Sequence, residues 1–274
     1  MSYKAFKVEI ENGIAQVTLN QPESMNAMGK AFWPECREIF ESISNNPDVR
    51  VVVVTSTGKH FSAGMDLGFF AMLEKTATGD PGRMSEQRRR FILDLQESFN
   101  TIERCNVPVL IGVHGAAIGG AVDMVCTCDT RYCTEDAFFA IQEIKIGMTA
   151  DLGTLQRLQH LMPSGLAREL AYTGRKLRAE EAQAGGFVTR VFADHAAMIE
   201  GLLETAREIA ARSPLAVVGS KEMLDYARKH SVEDGLNYIA TWNAAMIMTG
   251  DLEEGLRAQA ERRLPKYENL LGGS

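Results

Sequence analysis

The chain has no run of apolar residues near the roughly 18 to 20 that a membrane helix needs, so no segment reads as a bilayer span. Its first residues, MSYKAFKVEIENG, show neither an apolar stretch with a cleavage site nor an Arg-rich amphipathic pattern. The last three, GGS, are no peroxisomal address, and the expected compartment is the cytoplasm. Basic charge is in short supply. Twenty-nine Lys and Arg against 36 Asp and Glu leave a formal charge of -7, which argues against a nucleic-acid surface. The one basic run, Arg88-Arg89-Arg90, is flanked by Glu86 and Asp94 and reads as a solvated helix face. Cysteines number five (Cys36, Cys105, Cys126, Cys128, Cys133), an odd count in apolar surroundings, as expected of reduced thiols. Cys126-x-Cys128 lacks the wider spacing and second ligand pair of a zinc site, so no metal is expected. Also missing are a G-x-S-x-G nucleophile elbow, a Walker A sequence and a G-x-G-x-x-G after a strand.

What is there is an ordinary globular composition, 45% hydrophobic and 24% charged, over 274 residues: room for one large domain or a domain with an appendage. Residues 5–19 alternate as a hairpin around Asn12-Gly13. Phe32, Cys36, Ile39, Phe40 and Ile43 recur at helical spacing, and the β-branched run VRVVVVTSTG (49–58) reads as a strand buried on both faces. This order predicts an α/β spiral or parallel sheet. KHFSAGMDL (59–67) breaks the pattern with small residues. A polar segment, 74–87, reads as a lid-like loop before a helix over about 84–104 that buries Phe91, Leu95, Phe99 and Ile102. Beyond residue 200 the composition becomes almost wholly helical. Ser231 with Asp234, and Asp251 with Glu254, read as capping signals.

The chemistry concentrates in 113–151, VHGAAIGGAVDMVCTCDTRYCTEDAFFAIQEIKIGMTAD. Gly119-Gly120 marks a strand handing over to a helix, whose first amides are unpaired and sit at the positive end of its dipole. A second amide from the loop around Gly64-Met65 would complete a two-donor oxyanion hole. Three carboxylates stand near. Asp123 opens the helix, and dipole complementation alone would explain it. Glu143 follows an apolar strand and reads equally as the exposed face of an edge strand. Asp151 has the ordinary alternative of capping the helix with Leu155 and Leu158. Taken together, acids beside an oxyanion hole suit proton abstraction next to a carbonyl. Buried in company, they raise one another's pKa. His114 reads as packed or backbone-bonded.

LNQPESMNAM, KHFSAGMDL and HGAAIGGAVDMVCTCD, in this order and spacing, resemble the enoyl-CoA hydratase/isomerase (crotonase) superfamily. The resemblance runs from about residue 5 to beyond 260. It implies a crotonase-like spiral of ββα turns over residues 1–195, which binds acyl-CoA and carries catalysis. Residues 196–274 would form a helical trimerisation region, giving a homotrimer or a dimer of trimers. The implied oxyanion-hole amides are those of Met65 and Gly120. The CoA portion would run past Met25, Ala27, Ser62, Ala63, Gly64, Asp66, Leu67 and Gly119. No cofactor is implied beyond the coenzyme A thioester, which is the substrate.

Within the superfamily, hydratases carry Glu at the positions of Asp123 and Glu143 and a small residue at that of Asp151. The triple Asp123, Glu143, Asp151 resembles the dienoyl-CoA isomerase branch, which turns a 3,5-dienoyl-CoA into the 2,4-isomer. That implies Glu143 at the α carbon, Asp151 at carbon 6 and Asp123 in support, with the first two roles open to exchange. Other readings are an enoyl-CoA hydratase, a shift of a single double bond, and a non-catalytic acyl-CoA-binding scaffold.

Overall fold

The computed structural model describes residues 3–66, 68–69 and 78–271. Strands β1 (Phe6–Glu11) and β2 (Ile14–Leu19) form the expected hairpin. Asn12 and Gly13 both take positive φ (53° and 81°), as a two-residue hairpin turn requires. After helix α1 (Phe32–Ser44), strand β3 (Val51–Ser56) pairs parallel to β2. Helix α2 (Pro81–Glu103) leads to β4 (Val109–Val113), and the short β5 (Ala116–Ile118) follows at once. Next come α3 (Gly120–Thr127), β6 (Thr130–Thr134) and β7 (Phe138–Ala140). The six-stranded sheet runs β1-β2-β3-β4-β6-β9, with β9 at Arg190–Phe192, and is parallel beyond β2. A smaller sheet, β5-β7-β8, uses β8 (Leu177–Arg178). Two turns of chain leave the large sheet, add a strand to the small one (β5 after β4, β7 after β6) and continue into helical structure. This is the expected ββα spiral.

Why β3 reads as an unbroken apolar run is now visible. Val52 and Val54 point into the main core, and Val51 and Val53 into a second core on the opposite face. The cover on that second face is α7 (His195–Ala210), through Met198, Leu202 and Ala206. The packing is tight: a Cβ on Gly112 of β4 would lie 2.5 Å from Leu202 Cδ1. The division expected near 195 falls at the start of this helix. Helix α7 belongs to the spiral core, and the helices that follow begin only at α8 (Pro214–Ala227).

Between β7 and α7 lie α4 (Thr154–Leu158), α5 (Ser164–Thr173) and α6 (Ala179–Ala184), with Pro163 as the stop ahead of α5. The chain ends in α9 (Val232–Met246) and α10 (Gly250–Glu261). Ser231 and Asp234 form a reciprocal capping box. The second expected capping pair is not formed: α10 starts after Thr249, and Asp251 instead accepts from the Ser213 hydroxyl. Leu224, Val232, Leu236 and Leu256 on these last helices are exposed.

Helix α2 starts earlier than its apolar spacing suggested, because Asp80 caps the amides of Gly82 and Arg83 and Pro81 fills the first helical position. Residues 81–87 of the expected loop are therefore helix, while 70–77 lie outside the described residues. Arg88, Arg89 and Arg90 are exposed as expected. All five cysteines are free and buried.

Candidate active site

The main-chain part of the site is assembled by two parallel bridges. Ser62 pairs with Ala117 of β5, donating its amide to Ala116 O and accepting from the Ile118 amide. On the other side Met28 pairs with Met65: the Met28 amide donates to Gly64 O (2.8 Å) and the Asp66 amide to Met28 O (3.3 Å). A parallel bridge that uses the groups flanking Met65 turns the Met65 amide to the opposite edge. There it meets the start of α3. Gly119, the N-cap, has φ 55° and ψ -122°, and its amide donates to Ala140 O at the end of β7 (2.9 Å).

Glycine is required here by space as well as by dihedral. Gly64 has φ 82°, and a Cβ on it would lie 2.3 Å from Ile118 O and 3.2 Å from the Gly120 nitrogen. A Cβ on Gly120 would in turn lie 3.7 Å from the Met65 nitrogen. Two amides from different segments are thus brought side by side, a geometry suited to donating to one oxygen.

The carboxylates arrive on three separate elements. Asp123 sits in the first turn of α3 and is fully buried, 1% exposed. Its Oδ1 accepts from the Thr154 amide (2.6 Å) and the Thr154 hydroxyl (2.7 Å). Burial pushes its pKa up to about 7; the Thr154 hydroxyl bond opposes the rise, and Glu143 and Asp151 add to it.

Glu143 is delivered by the pairing of β7 with β5, which places Ala140 opposite Ile118. It opens a 3-10 turn, Glu143–Ile146, rather than lying on an edge strand, and its carboxyl rests over Gly119: a Cβ there would be 3.0 Å from Oε1. Its Oε2 is buried with no hydrogen-bond partner among the described residues. Burial raises its pKa, and the charge of Asp151 raises it further.

Asp151 lies half-buried in the loop before α4, also with a pKa raised by burial. It is not the cap of α4, a position Gly153 takes; its carbonyl accepts from Gln96 Nε2 of α2 (2.6 Å). All three sequence-chosen acids therefore sit within electrostatic reach of one another.

The remaining expected residues divide. Segments 25–28 and 63–66 run alongside each other, with the Ala63 amide on Met25 O (2.9 Å), so Met25, Ala27, Ala63 and Asp66 share one partly exposed seam. Ser62 departs from the expectation of a CoA-facing residue. It is fully buried, its hydroxyl donating to Asn26 O (2.8 Å) and accepting from the Gly64 amide (3.0 Å), so it supports the seam from beneath. Leu67 lies outside the described residues. His114 is buried, with Nε2 on Gly58 O (3.0 Å), as expected of a packed histidine.

Sequence reasoning missed three supporting side chains. Asn26, with φ 51°, binds the carbonyls of Thr57, His60 and Phe61 and accepts from the Gln21 amide. Gln96 and Thr154 hold the loop of Asp151. An Asn before small residues, and a Thr three residues after an acid, were the available signals, and neither is specific.

A spiral of ββα turns carrying paired amides beside grouped acids has the arrangement of an acyl-transforming enzyme. The sequence profile of enoyl-CoA hydratase/isomerase matches residues 9–270, and the chain belongs to that family. It is 44% identical over 265 residues (96% of this chain, 81% of the other) to a human protein named Delta(3,5)-Delta(2,4)-dienoyl-CoA isomerase, mitochondrial. To the peroxisomal protein of that name from Arabidopsis thaliana it is 40% identical over 274 residues, 98% and 99% of the two chains. The crystal structure of an enoyl-CoA hydratase from Bacillus anthracis superimposes with a TM-score of 0.88 at 29% identity, covering 97% and 99% of the two chains.

Proposed function

We propose that this protein is an acyl-CoA isomerase that converts a 3,5-dienoyl-CoA into the conjugated 2,4-dienoyl-CoA. The observation that carries the reading is Asp151: a third carboxylate brought to the pair Asp123 and Glu143, in a chain whose relatives bear the diene isomerase name. The thioester oxygen is held by the Met65 and Gly120 amides. Glu143, resting over Gly119 beside those amides, takes the proton from carbon 2. Negative charge then spreads from the oxygen to carbons 2, 4 and 6. Asp151, whose pKa is raised by burial, gives a proton to carbon 6, and the double bonds come to rest at carbons 2 and 4. One proton leaves the substrate and one enters, so the enzyme resets by returning the proton from Glu143 to Asp151. Asp123 lies within reach of both charges and mediates that return.

Coenzyme A lies along the seam of Met25, Ala27, Ala63 and Asp66, and no other cofactor takes part. The apolar side chains left exposed on α8 to α10, Leu224, Val232, Leu236 and Leu256, support assembly as a trimer or a pair of trimers. Five free buried thiols support a reducing compartment such as the cytoplasm. No helix among the described residues is long and apolar enough to cross a membrane.

The test is turnover of a 3,5-dienoyl-CoA, followed by the gain of conjugated-diene absorbance, beside hydration of a 2-enoyl-CoA, followed by loss of conjugation. Wild type is expected to favour the first, and Asp151→Asn to lose about 100- to 10,000-fold of it. Preferential hydration would make the protein a hydratase. Thioester binding without proton exchange into deuterated water would make it a scaffold. Near-normal isomerase turnover by Asp151→Asn would sink the three-acid scheme.

A further inference from the structure

We infer that Thr154 is a positioning residue: through its amide and hydroxyl together it fixes which oxygen of Asp123 faces the other acids, and it ties helix α3 to the loop that carries Asp151. The two donors converge on one atom, Oδ1, at 2.6 and 2.7 Å, and Thr154 itself is 1% exposed. An amide N–H can only donate, so Oδ1 is an acceptor and the acid proton of Asp123 belongs on Oδ2. That oxygen is the one free to exchange with Glu143 and Asp151. The bond also crosses from α3 to the first residue of α4, three positions after Asp151, so Asp123 and Asp151 cannot drift apart without breaking it.

The loop is held from its other end as well. Arg157 packs against Gly153, whose φ of 121° and lack of a side chain leave room for the guanidinium, and it pairs with Glu103 of α2 (2.7 Å) and Asn100 (2.8 Å). Gln96 adds the third fastening.

A purely structural role would make Asp123 the surrogate cap of α4, whose own N-cap Gly153 has no side chain. The two roles part on titration. The titratable groups around Asp123 are Glu143 on the 3-10 turn, Asp151 on the loop and Cys126 farther along α3. On α4 and α2, Arg157 is paired with Glu103, which also pairs with Arg228. A hydroxyl donating to a carboxylate favours its charged form, so removing it raises the pKa.

This inference rests on the isomerase reading for its function but has a readout that does not need turnover. The carboxylic-acid C=O band of Asp123, assigned by its loss in Asp123→Asn, is followed by infrared difference spectroscopy across pH. In Thr154→Val the midpoint should rise by about 0.5 to 1 pH unit relative to wild type. Thr154→Ala, which removes the same hydroxyl with less bulk to place, should show the same rise, and Thr154→Ser should restore the wild-type midpoint. The pH profile of isomerase kcat/KM should move with it. An unmoved midpoint in the variant that folds, or failure of Ser to restore it, overturns the inference. Absence of diene isomerisation by wild type would instead overturn the functional reading and leave the infrared result standing.

Discussion

The half of the site that carries Gly64, Met65, Gly119 and Gly120 is made of main chain, whereas the half that carries Asp123, Glu143 and Asp151 is made of charged side chains. The first is set by two parallel bridges and by glycines whose neighbours approach so closely that no Cβ fits. The second is set by hydrogen bonds to one threonine and one glutamine, and burial raises the pKa of each of its acids. Shape governs one half and electrostatics the other. A change that acts on shape should therefore remove activity abruptly, and a change that acts on charge should shift it along the pH axis.

The sharpest way to break this contrast is Gly64→Ala. Its methyl group would meet Ile118 O at 2.3 Å, on a backbone with φ 82°. If the Met65 and Gly120 amides act as a pair, turnover should fall by about 100- to 1,000-fold while circular dichroism keeps its native form. Activity within a few-fold of wild type would show that the close approach is dispensable.

A smaller effect is expected from Asp123→Asn, read as stability rather than rate. The pKa of Asp123 is raised on folding to about 7, so the folded chain holds a proton that the unfolded chain has already released. Its contribution is fully present below pH 4 and is lost as pH rises to about 7. Asn does not titrate. Relative to wild type the variant should gain at most roughly 4 kcal/mol between pH 4 and 8, about 1.4 for each of some three units. Thermal melts at both pH values check it, and parallel shifts in the two proteins would mean that Asp123 is ionised throughout. The smallest effect belongs to Ser62→Ala, which leaves the Gly64 amide and Asn26 O without their hydroxyl partner. Urea denaturation should show a cost of about 1–3 kcal/mol. An unchanged midpoint would mean the seam is held by its main-chain bonds alone.

The contrast also explains what could be read in advance. Gly119-Gly120 was legible because few residues tolerate a dihedral pair of 55° and -122°, and a strand–helix junction with two glycines announces it. The four-valine strand was legible because both its faces are covered. Asp123, Glu143 and Asp151 were individually illegible: each had a bland local explanation, and only resemblance joined them. A carboxylate's local sequence says nothing of the neighbours that burial will give it. Thr154 was missed for the same reason, since its partner lies 31 positions away. The packing of helix α7 on the sheet was not legible because its apolar stripe does not say which surface it will cover.

Met65 would serve the proposed site by an atom that every residue except proline possesses. Its side chain is partly buried against the core and makes no part of the proposed hole. Position 65 should thus accept many side chains with the reactive geometry intact. Position 64, one residue earlier, has no such latitude. Adjacent codons of one loop are therefore under opposite constraint, one tolerant of a change of side chain and the other fixed.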